Sequence, residues 1–430
     1  MDILKTLEIT KGTIINKINL NQKIKAFKID SRKISKGDCF ITIGNSYNYI
    51  NQAINNGASL IIAGKNIFCN VPVIVVQNTT KTLGLLAKYI REKYNPKVIA
   101  ITGSNGKTTT RDILYNILKR KYNVITNEKN YNNHIGVPLT IFNIQKNTEI
   151  AVVEMGMNHL GEISYLSKMI NPDIGIITNI GTAHIGNLGS IENILKAKLE
   201  ITDGLKGKLF VNGDDNLLKY LNLNISKSGF NTNNDLKAYN LKTNLEKSSF
   251  NIKVNNKQYL IETNLPKHLL PDVLLAINVS LHLKIDIKDI IKALKEYKPF
   301  TNRMNIIKKN SNIIINDCYN SSLESLMGIL NVLKNEKKHK ILILGDIKEA
   351  GKYSEIIHEK IKDSFNNINN KEIILAGKHM KKIKNTICFN NYQEIINHLK
   401  NKKIENSIIL IKASRIMHFE NITNFLLKAF

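Results

Sequence analysis

The chain has 430 residues, 43% hydrophobic and 23% charged, and its 62 Lys and Arg against 35 Asp and Glu give a net charge of +27. That length holds two or three domains, each with its own core, and seven prolines among regular apolar runs argue against a disordered chain. The positive excess is mostly lysine scattered among Asn and Ile, with no basic arm, so it does not call for a nucleic-acid partner.

Residues 1–20 alternate charged and apolar side chains and lack the apolar core of a signal peptide. No run of about 18 apolar residues occurs, so a cytoplasmic protein without membrane insertion is expected. Cys39, Cys69, Cys318 and Cys388 form no CxxC pair, which argues against a zinc or disulfide framework.

Taken in chain order, apolar runs at 39–43, 60–63 and 73–76 predict short strands, and 51–56 predicts a helix. They make residues 1–77 a small α/β unit with no phosphate loop. From 78 to 300 strand and helix alternate. A strand at 98–102 enters a glycine turn, a helix covers 107–121, strands follow at 150–154 and 174–178, and 190–203 reads as a helix. Such alternation predicts a mostly parallel sheet covered on both faces. Period-2 alternation within 241–263 (Phe250, Ile252, Val254) predicts an antiparallel excursion. The last section, 301–430, alternates again, with strands at 313–315, 341–344, 373–375 and 408–411. Its layout is that of a Rossmann-like sheet without the GxGxxG turn. The expected fold class is therefore α/β in three domains: a small N-terminal α/β domain, a central P-loop domain and a C-terminal Rossmann-like domain.

The strongest chemical signal is Gly103-Ser104-Asn105-Gly106-Lys107-Thr108-Thr109, between the buried strand and the helix. A glycine turn at a helix N-terminus aims backbone N–H groups at a polyphosphate. Lys107 then neutralises phosphate oxygens, and the Thr108 hydroxyl is placed for Mg²⁺. Only two residues separate Gly103 from Gly106, where the common P-loop has four. Glu154 ends an apolar strand at the sheet edge where ligands bind in such folds, as a Mg²⁺ ligand or as a solvated strand-end acid. His184 follows strand 174–178 through a glycine turn. Lys198 cannot be told by pattern from a solvated helix lysine. Asp317, beside Tyr319 and Asn320, fits either a ribose- or amine-binding acid or an N-cap.

Together these segments resemble the Mur ligases over nearly the whole chain in collinear order, and among them the branch that adds D-alanyl-D-alanine. Asp30-Ser31-Arg32 with Gly37-Asp38-Cys39-Phe40 is similar to the family's uridine-nucleotide-binding domain, and Gly103 to Thr109 matches its ATP loop. The stretches from Asn130 through Asn132 and Asn133 to Pro138, and from Glu154 through Asn158 to Glu162, resemble that branch in particular. Thr178 to His184, Ala197 to Glu200, Asn302-Arg303-Met304, Asp317 to Asn320, Leu344 to Gly351 and Lys412 to Arg415 follow in order. The Asp-Asn-Pro-Arg phrase that one sibling amino-acid ligase carries late in its chain is absent, and after the strand acid, where another has Ser-Ser-Phe, this chain has Met155-Gly156-Met157-Asn158.

The resemblance implies an ATP-dependent ligase that joins D-Ala-D-Ala to UDP-N-acetylmuramoyl tripeptide, acting as a monomer. It implies a UDP-substrate domain at 1–77, a central ATP domain at 78–300 and a C-terminal domain at 301–430. Thr108 and Glu154 would hold one Mg²⁺, and His184 with a carbamylated Lys198 would help place a second. Arg303 and Asp317 would reach the nucleotide from the C-terminal domain. Ser31, Arg32, Asn132, Asn133, Asn158, Tyr319 and Asn320 would contact the other substrates. The chain departs from the family pattern at Asp272, where an Asn commonly meets the adenine, and at Asn302, Ala413 and Ile416, each in place of a Gly.

Overall fold

A computed structural model describes residues 1–16, 21–128, 130–299, 303–384 and 386–429. Asn302 and the expected domain junction at 300 and 301 lie outside the described residues. The described residues form three sheets of five, nine and six strands. The first is built from Phe27–Lys28, Cys39–Ile41, Leu60–Ala63 and Val73–Val75 in parallel, with Thr13–Ile15 antiparallel at one edge.

In the nine-stranded sheet, Lys97–Thr102 lies between Ile150–Glu154 and Ile174–Ile177, all parallel. These three strands are buried almost throughout, as a sheet covered on both faces requires. Helix Lys107–Leu118 packs with Leu270–His282 and Ile287–Glu296 on one face. Helices Glu162–Ile170 and Ile191–Leu199 cover the other. The chain leaves Lys97–Thr102 towards Val124–Thr126 on one side and returns to Ile174–Ile177 on the other. That reversal opens a crevice at the C-terminal strand ends.

The antiparallel excursion comprises Leu236–Thr243, Ser248–Val254 and Lys257–Thr263, and its first strand starts earlier than the alternation suggested. It joins the parallel part through Ile225–Gly229. Helix 107–121 ends at Leu118 because its last turn tightens, with the Arg120 and Lys121 amides bonding three residues back. Helix 190–203 is likewise two pieces. After Leu199 the backbone becomes a 3-10 turn, Glu200–Gly204, as Glu200 turns its carboxylate to the Gly161 and Ser164 amides. The third sheet runs Asn305–Lys309, Asn312–Asn316, Ser407–Lys412, His339–Gly345, Lys371–Ala376 and Ile387–Phe389, parallel except for the first pair.

Candidate active site

The glycine loop closes against the neighbouring strand. Gly103 has φ +144°, and a Cβ there would lie 1.9 Å from the Thr178 hydroxyl. Gly106 has φ +80°, and its Cβ would lie 2.1 Å from an Asp272 oxygen. Both positions therefore require glycine. The Asn105 amide donates to Asn179 Oδ1 at 2.9 Å, and the Gly181 amide donates to Ser104 Oγ at 2.9 Å. Lys107 opens the helix, and its Nζ folds back to donate to the Gly103 and Ser104 carbonyls at 2.6 and 3.1 Å.

Strand register sets Glu154 opposite Ile101, two residues before the loop. Its Oε2 accepts from Thr108 Oγ1 at 2.9 Å and from Arg111 Nη1 at 3.2 Å; its Oε1 accepts from Asn132 Nδ2 at 2.8 Å. The residue is only 2% exposed, so the solvated strand-end reading is corrected. Burial pushes the carboxyl upward, but Arg111, Lys107 and Arg303 outweigh it and hold Glu154 below the ordinary carboxylate range. An ionised carboxylate thus sits beside a threonine hydroxyl, a pair of hard oxygen donors.

Lys198 is fully buried, and its Nζ has no hydrogen-bond partner. The solvated-helix reading is wrong here: Ile191–Leu199 turns Lys198 inward with Ile194 and Ala197. Burial first, then Lys107, drives its pKa well down, against the pull of Glu349, Glu200 and Glu154. His184, at φ +64°, has Nδ1 3.4 Å from Glu349 Oε2. Burial, with Lys107 and Lys198, lowers His184 to about 3, so its ring stays neutral at physiological pH.

The third sheet brings a second wall. Asp317 pairs with Lys412 Nζ at 2.5 Å and accepts the Met304 amide at 3.1 Å. It is not an N-cap: Ser322 caps the following helix, Leu323–Leu333. The Arg303 guanidinium carbon lies 4.0 Å from the Tyr319 ring centroid. The wall is docked on the loop side: Ser322 Oγ donates to Asn105 Oδ1 at 2.8 Å, and Glu324 accepts the Thr182 amide at 2.8 Å. Tyr353 also donates to the Gly189 carbonyl. Between the walls lies a cavity of about 780 Å³.

Residues 101–280 match the Mur ligase middle domain, and residues 302–415 match the Mur ligase glutamate ligase domain. The chain is 33% identical to the UDP-N-acetylmuramoyl-tripeptide–D-alanyl-D-alanine ligase of Buchnera aphidicola subsp. Baizongia pistaciae, over 100% of this chain and 99% of the relative. It belongs to the Mur ligase family. Among solved Mur ligases, MurF from Acinetobacter baumannii superimposes with a TM-score of 0.92 at 28% identity, covering 99% of this chain and 98% of the other. MurF from Thermotoga maritima, solved in complex with ADP, gives 0.85 at 26% identity over 95% and 98%.

Of the residues expected at the site, the loop from Ser104 to Thr109 lines the cavity together with Glu154, His184, Asp272, Arg303 and Asp317. Asn132, Asn133, Asn158, Tyr319 and Asn320 also line it, whereas Gly103 and Lys198 sit behind its surface. Ser31 and Arg32 are not brought there. Ser31 donates to Gln52 at 2.6 Å, and Arg32 pairs with Asp30 at 2.9 Å, both in the first sheet's unit. Sequence reasoning missed Arg111, Asn127 and Glu349. Arg111 lies one helical turn after Lys107, a spacing that could have flagged it. Asn127 Oδ1 accepts the Glu154 amide at 2.6 Å, a contact no local pattern announces.

Asp272 is buried against the loop, and burial raises its carboxyl to about 7, opposed by Thr110 and Lys107. Because the folded value exceeds the unfolded one, the native state binds the extra proton between about pH 4 and 7, and stability falls as pH rises through that window. Asp272→Asn removes this loss. The variant should melt higher than the parent at pH 8, by on the order of 3 kcal/mol or less, with the gap closing towards pH 4. A gap independent of pH in thermal melts would contradict the assignment.

Proposed function

We propose that this chain is the ATP-dependent ligase that joins D-Ala-D-Ala to the C-terminal carboxylate of UDP-N-acetylmuramoyl tripeptide, a step in peptidoglycan precursor synthesis. The observation that carries this reading is one cleft in which the Lys107 loop, the Thr108–Glu154 pair and the Arg303–Tyr319 wall face one another. The full-length likeness to enzymes of that name supports the choice of substrates.

Making a peptide bond from a carboxylate requires a leaving group. The γ-phosphoryl group of ATP passes to the tripeptide carboxylate, giving an acyl phosphate and ADP. The dipeptide amine attacks the acyl carbon, and the tetrahedral intermediate collapses with loss of phosphate and a proton. Both reactants of the first step are anions, so Lys107 exchanges the Gly103 and Ser104 carbonyls for β- and γ-phosphate oxygens, and Arg303 offsets charge from the opposite wall. The acyl phosphate is sensitive to water, and the contacts of Ser322, Glu324 and Tyr353 with the loop side keep the C-terminal unit closed over it.

Among the described residues no three His, Cys, Asp or Glu side chains cluster as a metal site. That suits Mg²⁺, which takes one or two carboxylates and completes its shell with phosphate and water. Thr108 and Glu154 would hold one ion, and His184 with Lys198 would help place a second; such ions screen phosphate charge. A buried lysine amine without a partner and with a depressed pKa fits a carbamate, which would turn Lys198 into an anionic ligand.

In this reading residues 1–77 bind the UDP moiety, 78–300 bind ATP and 301–430 close the site. We read the enzyme as a monomer. The reading places the enzyme in the cytoplasm; no helix among the described residues is long and apolar enough to cross a membrane.

Phosphate release from ATP and UDP-muramoyl tripeptide should require D-Ala-D-Ala, and Lys107→Ala should lower kcat by roughly three to four orders of magnitude. Release with single amino acids in place of the dipeptide, or near-normal turnover without Lys107, would refute the proposal. With ¹³C-bicarbonate, the protein should show a carbamate resonance in NMR that Lys198→Met lacks; identical spectra would remove the carbamate from the account.

A further inference from the structure

The turn that leads into His184 is held from three directions. Three consecutive backbone amides each donate to a side-chain oxygen: Ile180 to Asp215 Oδ2 at 2.9 Å, Gly181 to Ser104 Oγ at 2.9 Å and Thr182 to Glu324 Oε1 at 2.8 Å. Asp215 follows the adjacent strand Lys208–Asn212, and Ser104 belongs to the glycine loop. Glu324 stands in the first turn of helix Leu323–Leu333, in the C-terminal unit. Its Oε2 also accepts from Thr182 Oγ1 at 3.2 Å. A Cβ on Gly181 would lie 2.7 Å from Glu324 Cδ, and its three nearest atoms would all belong to that carboxylate. Past the histidine, a Cβ on Gly186 would lie 2.7 Å from the Gly351 nitrogen. The C-terminal unit therefore abuts the chain on both sides of His184, and Glu349 meets the ring itself.

We propose that Glu324 is a positioning residue that seats His184 from across the gap, through the Thr182 amide and hydroxyl. The inference rests on the ligase reading above, in which His184 helps place a metal ion. His184 holds φ +64°. Side chains other than glycine rarely adopt that backbone region, and it persists where the surroundings enforce it. Asp215 and Ser104 are fixed within the central domain, so they hold Ile180 and Gly181 whatever the C-terminal unit does. Glu324 is the one of the three that arrives from the opposite wall. Without it the Thr182 amide loses its acceptor, and the left-handed residue two positions on loses a constraint. The carboxylate is itself anchored, because the first turn of its helix is capped by Ser322, whose hydroxyl also bonds Asn105 of the glycine loop. One helix end thus grips both the phosphate loop and the His184 turn.

Glu324→Ala should lower kcat roughly 10- to 100-fold, as misplacement of a reacting-site group does, with the KM for ATP little changed because the glycine loop is intact. Glu324→Gln should keep most of the activity, since its amide oxygen still accepts from Thr182. Gly181→Ala should cost about as much as Glu324→Ala, yet add little to it in the double variant, because the clash is with that carboxylate. In spectra of the ¹³C-histidine-labelled protein, the His184 ring signal, identified by its loss in His184→Ala, should move in Glu324→Ala and hold its place in Glu324→Gln. An unmoved signal or parental kcat in Glu324→Ala, equal losses for Gln and Ala, or additive losses with Gly181→Ala would overturn the assignment. Lack of dipeptide-dependent phosphate release by the unmodified enzyme would instead sink the ligase reading.

Discussion

A carboxylate taken out of water is costly unless cations and donors surround it, and the cleft is organised around one such group. Glu154 is buried at the end of a central strand, yet Arg111, Lys107 and Arg303 keep it ionised. Two of these come from the helix that follows the glycine loop, and the third from the opposite wall. Thr108 and Asn132 supply the remaining hydrogen bonds. The loop, its helix and the acid strand are thus locked together before any ligand arrives, and their shared position follows from three parallel strands ending side by side.

The same arrangement explains why a second wall is needed. The loop side carries Lys107 and the Glu154–Thr108 pair, and one of the cations that hold Glu154 ionised, Arg303, comes from across the gap. The C-terminal sheet brings Arg303, Tyr319 and Arg415 to the gap through the ends of its strands and the loops that follow them. Ser322, Glu324 and Tyr353 then hold that sheet against the loop side. Chemistry proposed for the cleft depends on this closure, because it joins nucleotide, acyl donor and acceptor and limits access of water.

Much of this was legible in the residues. The strands at Leu60–Ala63 and Ile150–Glu154 match their apolar runs residue for residue, because a strand buried on both faces has no reason to alternate. The glycine loop was legible because strand, turn chemistry and helix start agree at one place. Lys198 was not, since helical spacing says which face a residue shares but not which face is covered. Helix ends shifted at Leu118 and Leu199, where 3-10 turns and side-chain bonds replaced α-helical ones. Ser31 and Arg32 lie in the first sheet's unit and do not line the cleft. The Arg111–Glu154 contact spans 43 positions in the chain and exists only once two strands pair in register.

The most direct measurement is a crystal structure with a non-hydrolysable ATP analogue and Mg²⁺. The account predicts the β- and γ-phosphates against Lys107, with its amine withdrawn from the Gly103 and Ser104 carbonyls and the Thr108 and Glu154 oxygens turned to metal. A triphosphate bound elsewhere, with Lys107 still folded on its own loop, would contradict it.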